Sequence, residues 1–351
     1  MPLKAIIEEQ LNKQSGTNDQ EVLKHVSSMI HLKMLEKIAG NQTDLNIYQK
    51  YILTYNKANQ DSLTQVMDEQ YKTIDPDLLR NGLRALAMSN EAYFTIRNRF
   101  AKSLATFSIC SYILGIGDRH LENFLIDFSE GSLIGIDFGH AFGSATEVLP
   151  VPELMPFRLT RQMLSVFSPI STTLCDFSNE NVGTGLLFES MVHVMRALHN
   201  NRHILLNTMD VFIKEPLVDW LKNAKRNPQF YSEFASSEAT ASASSTGSDA
   251  SLDSDQTLMK WYPQRKVELA RMKLEMANPK VIFKSDAQAN LTIKKGIKYI
   301  ERAIEGDPEV NKRAKVGEKC SSIKEQVECL IDMATDVKIL GRTYVGWCPQ
   351  F

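Results

Sequence analysis

The sequence predicts a mainly α, α+β fold whose only clear strands form one short β-hairpin near the middle of the chain. Three observations predict it. Apolar residues recur at helical spacing through most of the first hundred positions. A glycine-punctuated stretch, GIGDRHLENFLIDFSEGSLIGIDFGHAFG from Gly115 to Gly143, holds two short β-prone runs and little room for helix. A capping box then opens a final amphipathic segment near the C-terminus.

In order along the chain, Val22, Leu23, Val26, Met29, Ile30 and Met34 share one helical face, and Gly40 supplies a stop. Asp75-Pro76 reads as an N-cap followed by proline at the first helical position, with Leu78, Leu79, Leu83 and Leu86 on the buried side. Ser89 or Asn90 caps AYFTIRNRFAKSLATFSICSYIL, which is apolar on more than one side and so predicts a central buried helix ended by Gly115 and Gly117. FLIDF and SLIGIDF, separated by Ser129-Glu130-Gly131, predict the hairpin.

Helices are then expected over Thr160–Phe167 and Gly185–Leu198, the second carrying a core stripe of Leu187, Met191, Val194, Met195 and Leu198. The segment 234–256 is a Ser/Ala-rich run with few apolar anchors and predicts a disordered linker. Residues 257–279 predict a helix returning to the core, stopped at Asn278-Pro279. From Lys280 to Lys319 ten Lys or Arg face six Asp or Glu, which predicts a mobile basic insertion; with almost no aromatics there, a DNA site does not follow. Ser322 and Glu325 form the capping box, Ile323, Val327, Leu330, Ile331 and Ala334 its apolar face, and Gly341 and Gly346 let Tyr344, Trp347 and Phe351 fold back.

Bulk composition excludes several classes. Forty basic against 42 acidic residues give a net charge of -2, so no overall field favours nucleic acid or an anionic membrane. Five cysteines without a CxxC pair argue against a disulfide framework and a zinc ribbon, and for a reducing compartment. No apolar run reaches the length of about 18 residues that would suggest a membrane span.

The glycine-punctuated stretch carries the chemistry. Phosphoryl transfer needs a carboxylate that accepts and orients the attacking hydroxyl, and oxygen ligands for magnesium. Asp118 followed by Asn123 can supply the carboxylate and an amide oxygen from one loop, and Asp137, at the far end of the hairpin, returns beside it as a charged ligand. Gly139 is expected to permit the sharp turn that follows. A metal-hydrolase reading of His120, His140 and Asp137 competes, but the histidines lack HExxH spacing.

DRHLEN followed by DFG, continuing through HAFGSATEVLPVPELMPFRLTRQ and ending in LIDMATDVKILGRTYVGWCPQF, is similar to the kinase domain and FATC tail of the phosphatidylinositol 3-kinase-related protein kinases. The likeness covers most of residues 18–230 and 256–351. It implies a protein-kinase-like C-terminal lobe over 1–233, with a catalytic loop at 115–124 and an activation loop at 137–158 opened by Phe138 and Gly139, and a helical FATC tail over 320–351. It also implies ATP and magnesium as cofactors, Asp118 as catalytic base, His120 as a stabiliser of the transferring phosphoryl group, Asn123 and Asp137 as magnesium ligands, and Asn123, Ile136 and Asp137 on the nucleotide side.

From His140 to Pro156 there is no Lys or Arg to meet a phosphorylated inositol, so a peptide hydroxyl is the expected substrate rather than a lipid. The resembled kinases prefer Ser or Thr followed by Gln; the pocket for that glutamine is expected near Leu149, Pro152 and Glu153, although Leu149, Val151 and Leu154 are equally readable as anchors of the loop. The resemblance further implies double-strand-break repair by non-homologous end joining in the nucleus, with the Ku heterodimer and DNA ends as partners through regions outside these residues. No glycine-rich strand pair or VAIK-like lysine precedes Gly115, so the upper lobe that covers the phosphates is expected to be missing, leaving a fragment or truncated product of negligible activity by itself. A catalytically incompetent scaffold built from the same lobe is the alternative reading.

Overall fold

The structure is a computed structural model that describes residues 1–15, 60–149, 153–167, 185–214, 266–282, 319–341 and 343–348. The expected helix at Val22–Met34, the Ser-rich linker 234–256, most of the basic insertion 280–319, Pro152, Val151 and Phe351 lie outside the described residues. Within them the architecture is helical: α1 (Leu3–Ser15), α2 (Gln60–Thr73), α3 (Leu78–Leu86), α4 (Asn90–Leu114), α5 (Ser144–Val148), α6 (Arg161–Ser165), α7 (Leu186–Asn200), α8 (Arg202–Lys214), α9 (266–274), α10 (Ile323–Thr335) and α11 (Val337–Leu340). A single two-stranded antiparallel sheet, β1 (Phe124–Ile126) and β2 (Leu133–Gly135), pairs Phe124 with Gly135 and Ile126 with Leu133.

The organising element is α4. Its N-cap Ser89 accepts from the Ala92 N–H, and Gly115 ends it at φ 59°, a left-handed cap that Cβ-bearing residues adopt only with strain. Phe100, Ala101, Leu104, Ala105 and Ile109 are completely buried, and α4 packs most extensively along α7, whose Leu187, Met191 and Met195 meet it as the periodicity predicts. Val194 and Leu198 are partly buried against the same cluster.

Two expectations for α3 are corrected. The helix begins at Leu78, not at Asp75-Pro76, because the Asp75 carboxylate accepts from the Asp77 N–H (2.9 Å) and closes a turn before the helix starts. Leu78, Leu79 and Leu83 are buried against α1, whereas Leu86, at the helix end, is 45% exposed.

The hairpin turn uses Gly131 at φ 73°, where a Cβ would stand 2.8 Å from Ile96 Cα. The Arg99–Glu130 ion pair holds the turn to α4, and the first residues of the chain dock on the other edge, Ile126 N–H donating to Met1 C=O (2.9 Å).

The tail closes the core from the opposite end. Ser322 caps α10 by accepting from the Glu325 N–H, while Glu325 reaches back to the Ser321 N–H (2.6 Å), so the capping box forms one residue out of its ideal register. Val327, Leu330, Ile331 and Ala334 are buried, as the pattern predicts. α9 ends at 274, ahead of Asn278-Pro279 as expected, and the Asn278 side chain then accepts from the Lys280 N–H (3.0 Å) and caps a separate turn over 279–282. Lys273 of α9 donates to Tyr112 C=O (2.7 Å) at the C-terminal end of α4, where a cation meets the negative end of the helix.

Candidate active site

The site is built where the end of α4 meets the segment beyond the hairpin. Three backbone hydrogen bonds join them: Phe142 N–H to Leu114 C=O (2.8 Å), Gly143 N–H to Gly115 C=O (2.8 Å) and Gly117 N–H to His140 C=O (2.7 Å). The approach is so close that a Cβ on Gly115 would lie 2.6 Å from Gly143 N. The glycines on both sides therefore serve a contact between backbones.

Asp118 follows with φ 56°, and Asp137 adopts φ 55°. Both aspartates occupy the left-handed region that L-residues rarely enter, Asp and Asn being the tolerated exceptions. The sharp turn expected of Gly139 is thus made by Asp137 itself, whose Oδ1 accepts from the Gly139 N–H (3.2 Å), and by Phe142 at φ 55°. Asn123 is buried in a short 3-10 turn, and its Nδ2 donates to Asp118 C=O (2.9 Å), which fixes the amide and leaves its oxygen for another partner.

Arg119 links the two halves. Fully buried, it donates from Nε to Gly117 C=O (2.8 Å), from one terminal nitrogen to Ile136 C=O (2.8 Å) and from the other to Asp137 C=O. Its guanidinium also lies 5.7 Å from the Phe138 ring centroid and 6.0 Å from that of Phe107. Burial pulls the guanidinium pKa down, and Glu153, Asp118 and Asp137 oppose this with their negative charge. One side chain therefore ties the loop bearing Asp118 and Asn123 to the strand end bearing Asp137.

His120 is half-buried and its carbonyl accepts from the Asn123 N–H (3.0 Å). Ile136 and Phe138 are 38% and 52% exposed, an apolar edge beside Asp137. Asp137 is exposed and Asp118 half-buried, so neither carboxylate is sealed in the core. The Asn123 amide oxygen and the Asp137 carboxylate are hard oxygen donors of the kind magnesium takes, so the chemistry of the two residues fits the cofactor expected. Among the described residues, no group of three His, Cys, Asp or Glu side chains gathers as metal ligands, so His120, His140 and Asp137 do not form the cluster that a hydrolase would use.

Glu153 faces a different partner from the one expected of it. It is only 7% exposed, and its Oε2 accepts from the Asp118 N–H (2.6 Å), inside the site rather than toward a substrate. Burial pushes its carboxyl up to about 8, against the smaller opposing pull of the Asp118 N–H and of Arg119. A cavity of about 100 Å3 lies alongside, walled by Ile116, Ala145, Glu153, Leu154 and Met155. Leu149 is half-buried and Leu154 buried, the anchoring disposition that was the alternative for this segment.

Next along the chain, Arg158 is buried and donates to Trp347 C=O (2.9 Å) and Cys348 C=O (2.7 Å), fastening the tail to the activation segment. Its Nε and other terminal nitrogen are buried without a hydrogen-bond partner among the described residues, and burial lowers its pKa to about 10. Sequence reasoning missed both arginines. DRH and PFRLTRQ flagged the neighbourhoods, but an isolated arginine reads as surface charge until its carbonyl acceptors, distant in sequence, are known.

The sequence is similar to those of known proteins. Residues 3–222 match the phosphatidylinositol 3- and 4-kinase family, and residues 320–351 match the FATC domain. The chain is 40% identical over 99% of its length to the DNA-dependent protein kinase catalytic subunit of Dictyostelium discoideum, and 39% identical over 85% to that of Mus musculus. It is 27% identical over 74% of its length to the serine/threonine-protein kinase mTor of Drosophila melanogaster. The chain spans 7% of the length of each catalytic subunit and 10% of mTor.

Proposed function

The chain belongs to the phosphatidylinositol 3- and 4-kinase family, and from that premise we propose that it is the catalytic lower lobe and tail of a serine/threonine protein kinase. The observation that carries the reading is the Arg119 bridge, which brings a loop with a carboxylate and an amide against a second carboxylate. In this reading Asp118 accepts the proton of the acceptor hydroxyl and orients it, and His120 stands beside the transferring group. Asn123 and Asp137 hold magnesium, which when bound neutralises the phosphate oxygens of ATP, and Ile136 offers an apolar edge to the nucleotide.

A peptide acceptor is favoured over a phosphoinositide because residues 140–156 carry no Lys or Arg. The relatives' names support the same choice. We assign the acceptor to Ser or Thr followed by Gln, with Leu149 and Pro152 in the segment that would wall the glutamine and the Glu153 carboxyl turned inward to the Asp118 N–H. The cavity beside Glu153, which Leu154, Met155, Thr146 and Lys273 also line, offers room for an amide side chain. Membership in a DNA-repair assembly in the nucleus, with Ku and DNA ends, follows from the likeness to the catalytic subunits alone; among the described residues no helix is long and apolar enough to cross a membrane.

The test is transfer of labelled phosphate from magnesium ATP to a Ser-Gln peptide. Asp118→Asn should abolish what transfer the chain supports. A rate that survives Asp118→Asn overturns the base assignment. A Ser-Asn peptide phosphorylated as fast as Ser-Gln overturns the specificity.

A further inference from the structure

We propose that Glu153 is a positioning residue for phosphoryl transfer: its buried carboxyl holds the Asp118 backbone in the left-handed conformation from which the catalytic side chain is presented. The kinetic part rests on the protein-kinase reading above; the structural part does not.

A non-glycine residue at φ 56° persists only where its surroundings over-determine it. Three contacts do so here. The Asp118 N–H donates to Glu153 Oε2 (2.6 Å), the Asp118 C=O accepts from Asn123 Nδ2 (2.9 Å), and the preceding residue is fixed by Gly117 N–H to His140 C=O (2.7 Å). Of the three, only the first comes from a side chain beyond the catalytic loop and the adjoining Asp137 segment.

Glu153 is itself immobilised. Thr146 Oγ1 donates to the Glu153 C=O (2.8 Å), and the flanking Leu154 and Met155 are buried. Its carboxyl reaches Asp118 because residue 117 has no side chain: a Cβ there would press on Ala145 Cβ and stand 2.6 Å from Glu153 Oε2. Glycine at 117 and glutamate at 153 are therefore two halves of one device. Stability alone does not favour this placement, since burying a carboxyl against a single backbone donor costs more than burying an apolar side chain of similar size. Its effect is local, on one peptide unit beside the reacting group.

This role is separable from recognition of a substrate glutamine. A glutamine receptor would act on one class of peptide, whereas a backbone clamp acts on every acceptor. Hydrogen exchange of the Asp118 amide should be compared in the full 351-residue chain and in its Glu153→Ala and Glu153→Gln variants. The expected result is exchange at Asp118 about tenfold faster in the alanine variant, with α4 and α10 unchanged, and substantial recovery in the glutamine variant, which keeps a carbonyl acceptor. In the peptide assay, kcat should fall about tenfold or more with KM for ATP within about twofold, and equally for Ser-Gln and Ser-Asn acceptors.

Unchanged Asp118 exchange in Glu153→Ala, or a loss confined to KM for the Ser-Gln peptide, overturns the proposal. Should alanine loosen the whole fold, Glu153→Leu keeps the volume without the acceptor; protection of Asp118 retained there overturns it equally. The exchange comparison decides this proposal whether or not the wild-type chain transfers phosphate at a detectable rate.

Discussion

Replacing Arg119 by leucine tests whether a single buried guanidinium unites the site. The substitution removes three hydrogen bonds, to the carbonyls of Gly117, Ile136 and Asp137, and leaves those acceptors facing an apolar side chain. Hydrogen bonds from a charged donor contribute about 1.5–3 kcal/mol each, and the desolvation of the guanidinium on burial offsets part of that sum. The net loss expected is about 2–4 kcal/mol, with the offset keeping it below the full value of three such bonds. Urea unfolding at neutral pH, read as a shift in midpoint at constant slope, measures it. Arg119→Lys should recover only a minor part, because an ammonium is a point donor and cannot span three carbonyls in a planar fork. A loss under about 1 kcal/mol for the leucine variant, or full recovery with lysine, would show that the two halves are held by their backbone contacts alone.

Gly115→Ala places a Cβ 2.6 Å from Gly143 N in a left-handed residue, and thermal unfolding should show a loss of about 2 kcal/mol or more, against the few tenths expected at an exposed helix end. Because burial raises the Glu153 carboxyl to about 8 in the folded chain from an ordinary value of 4.5, the folded state binds the extra proton between those limits. Its contribution is complete below pH 4.5 and is lost as pH rises toward 8, so the urea midpoint should fall across that window and fall less steeply in Glu153→Gln; parallel profiles would refute it. Arg158→Met should change global stability by less than about 1 kcal/mol, since two of its nitrogens are buried without partners among the described residues, yet speed hydrogen exchange at 343–348 severalfold; a tail protected as before would show that Arg158 does not fasten it.

The chain's own residues determined which elements form, and where the chemistry would lie. The period of Leu187, Met191 and Met195, the caps at Ser89 and Ser322, the glycine that ends α4 and the two β-prone runs are local signals, because helix and hairpin energetics are set within a few residues. The spacing of Asp118, Asn123 and Asp137 is local in the same sense. What the tertiary structure alone decided is how these pieces are held: Arg119 reaching carbonyls on both sides of the hairpin, Glu153 turning inward to the Asp118 N–H, and Arg158 meeting the carbonyls of Trp347 and Cys348. Each is an ionisable side chain buried against partners distant in sequence, and its meaning depends on desolvation and on which backbone group comes within about 3 Å. The same reason explains Leu86 and Gly139. Periodicity and glycine content bias a chain toward a conformation, but burial and backbone angle are fixed only when the rest of the fold presses against it.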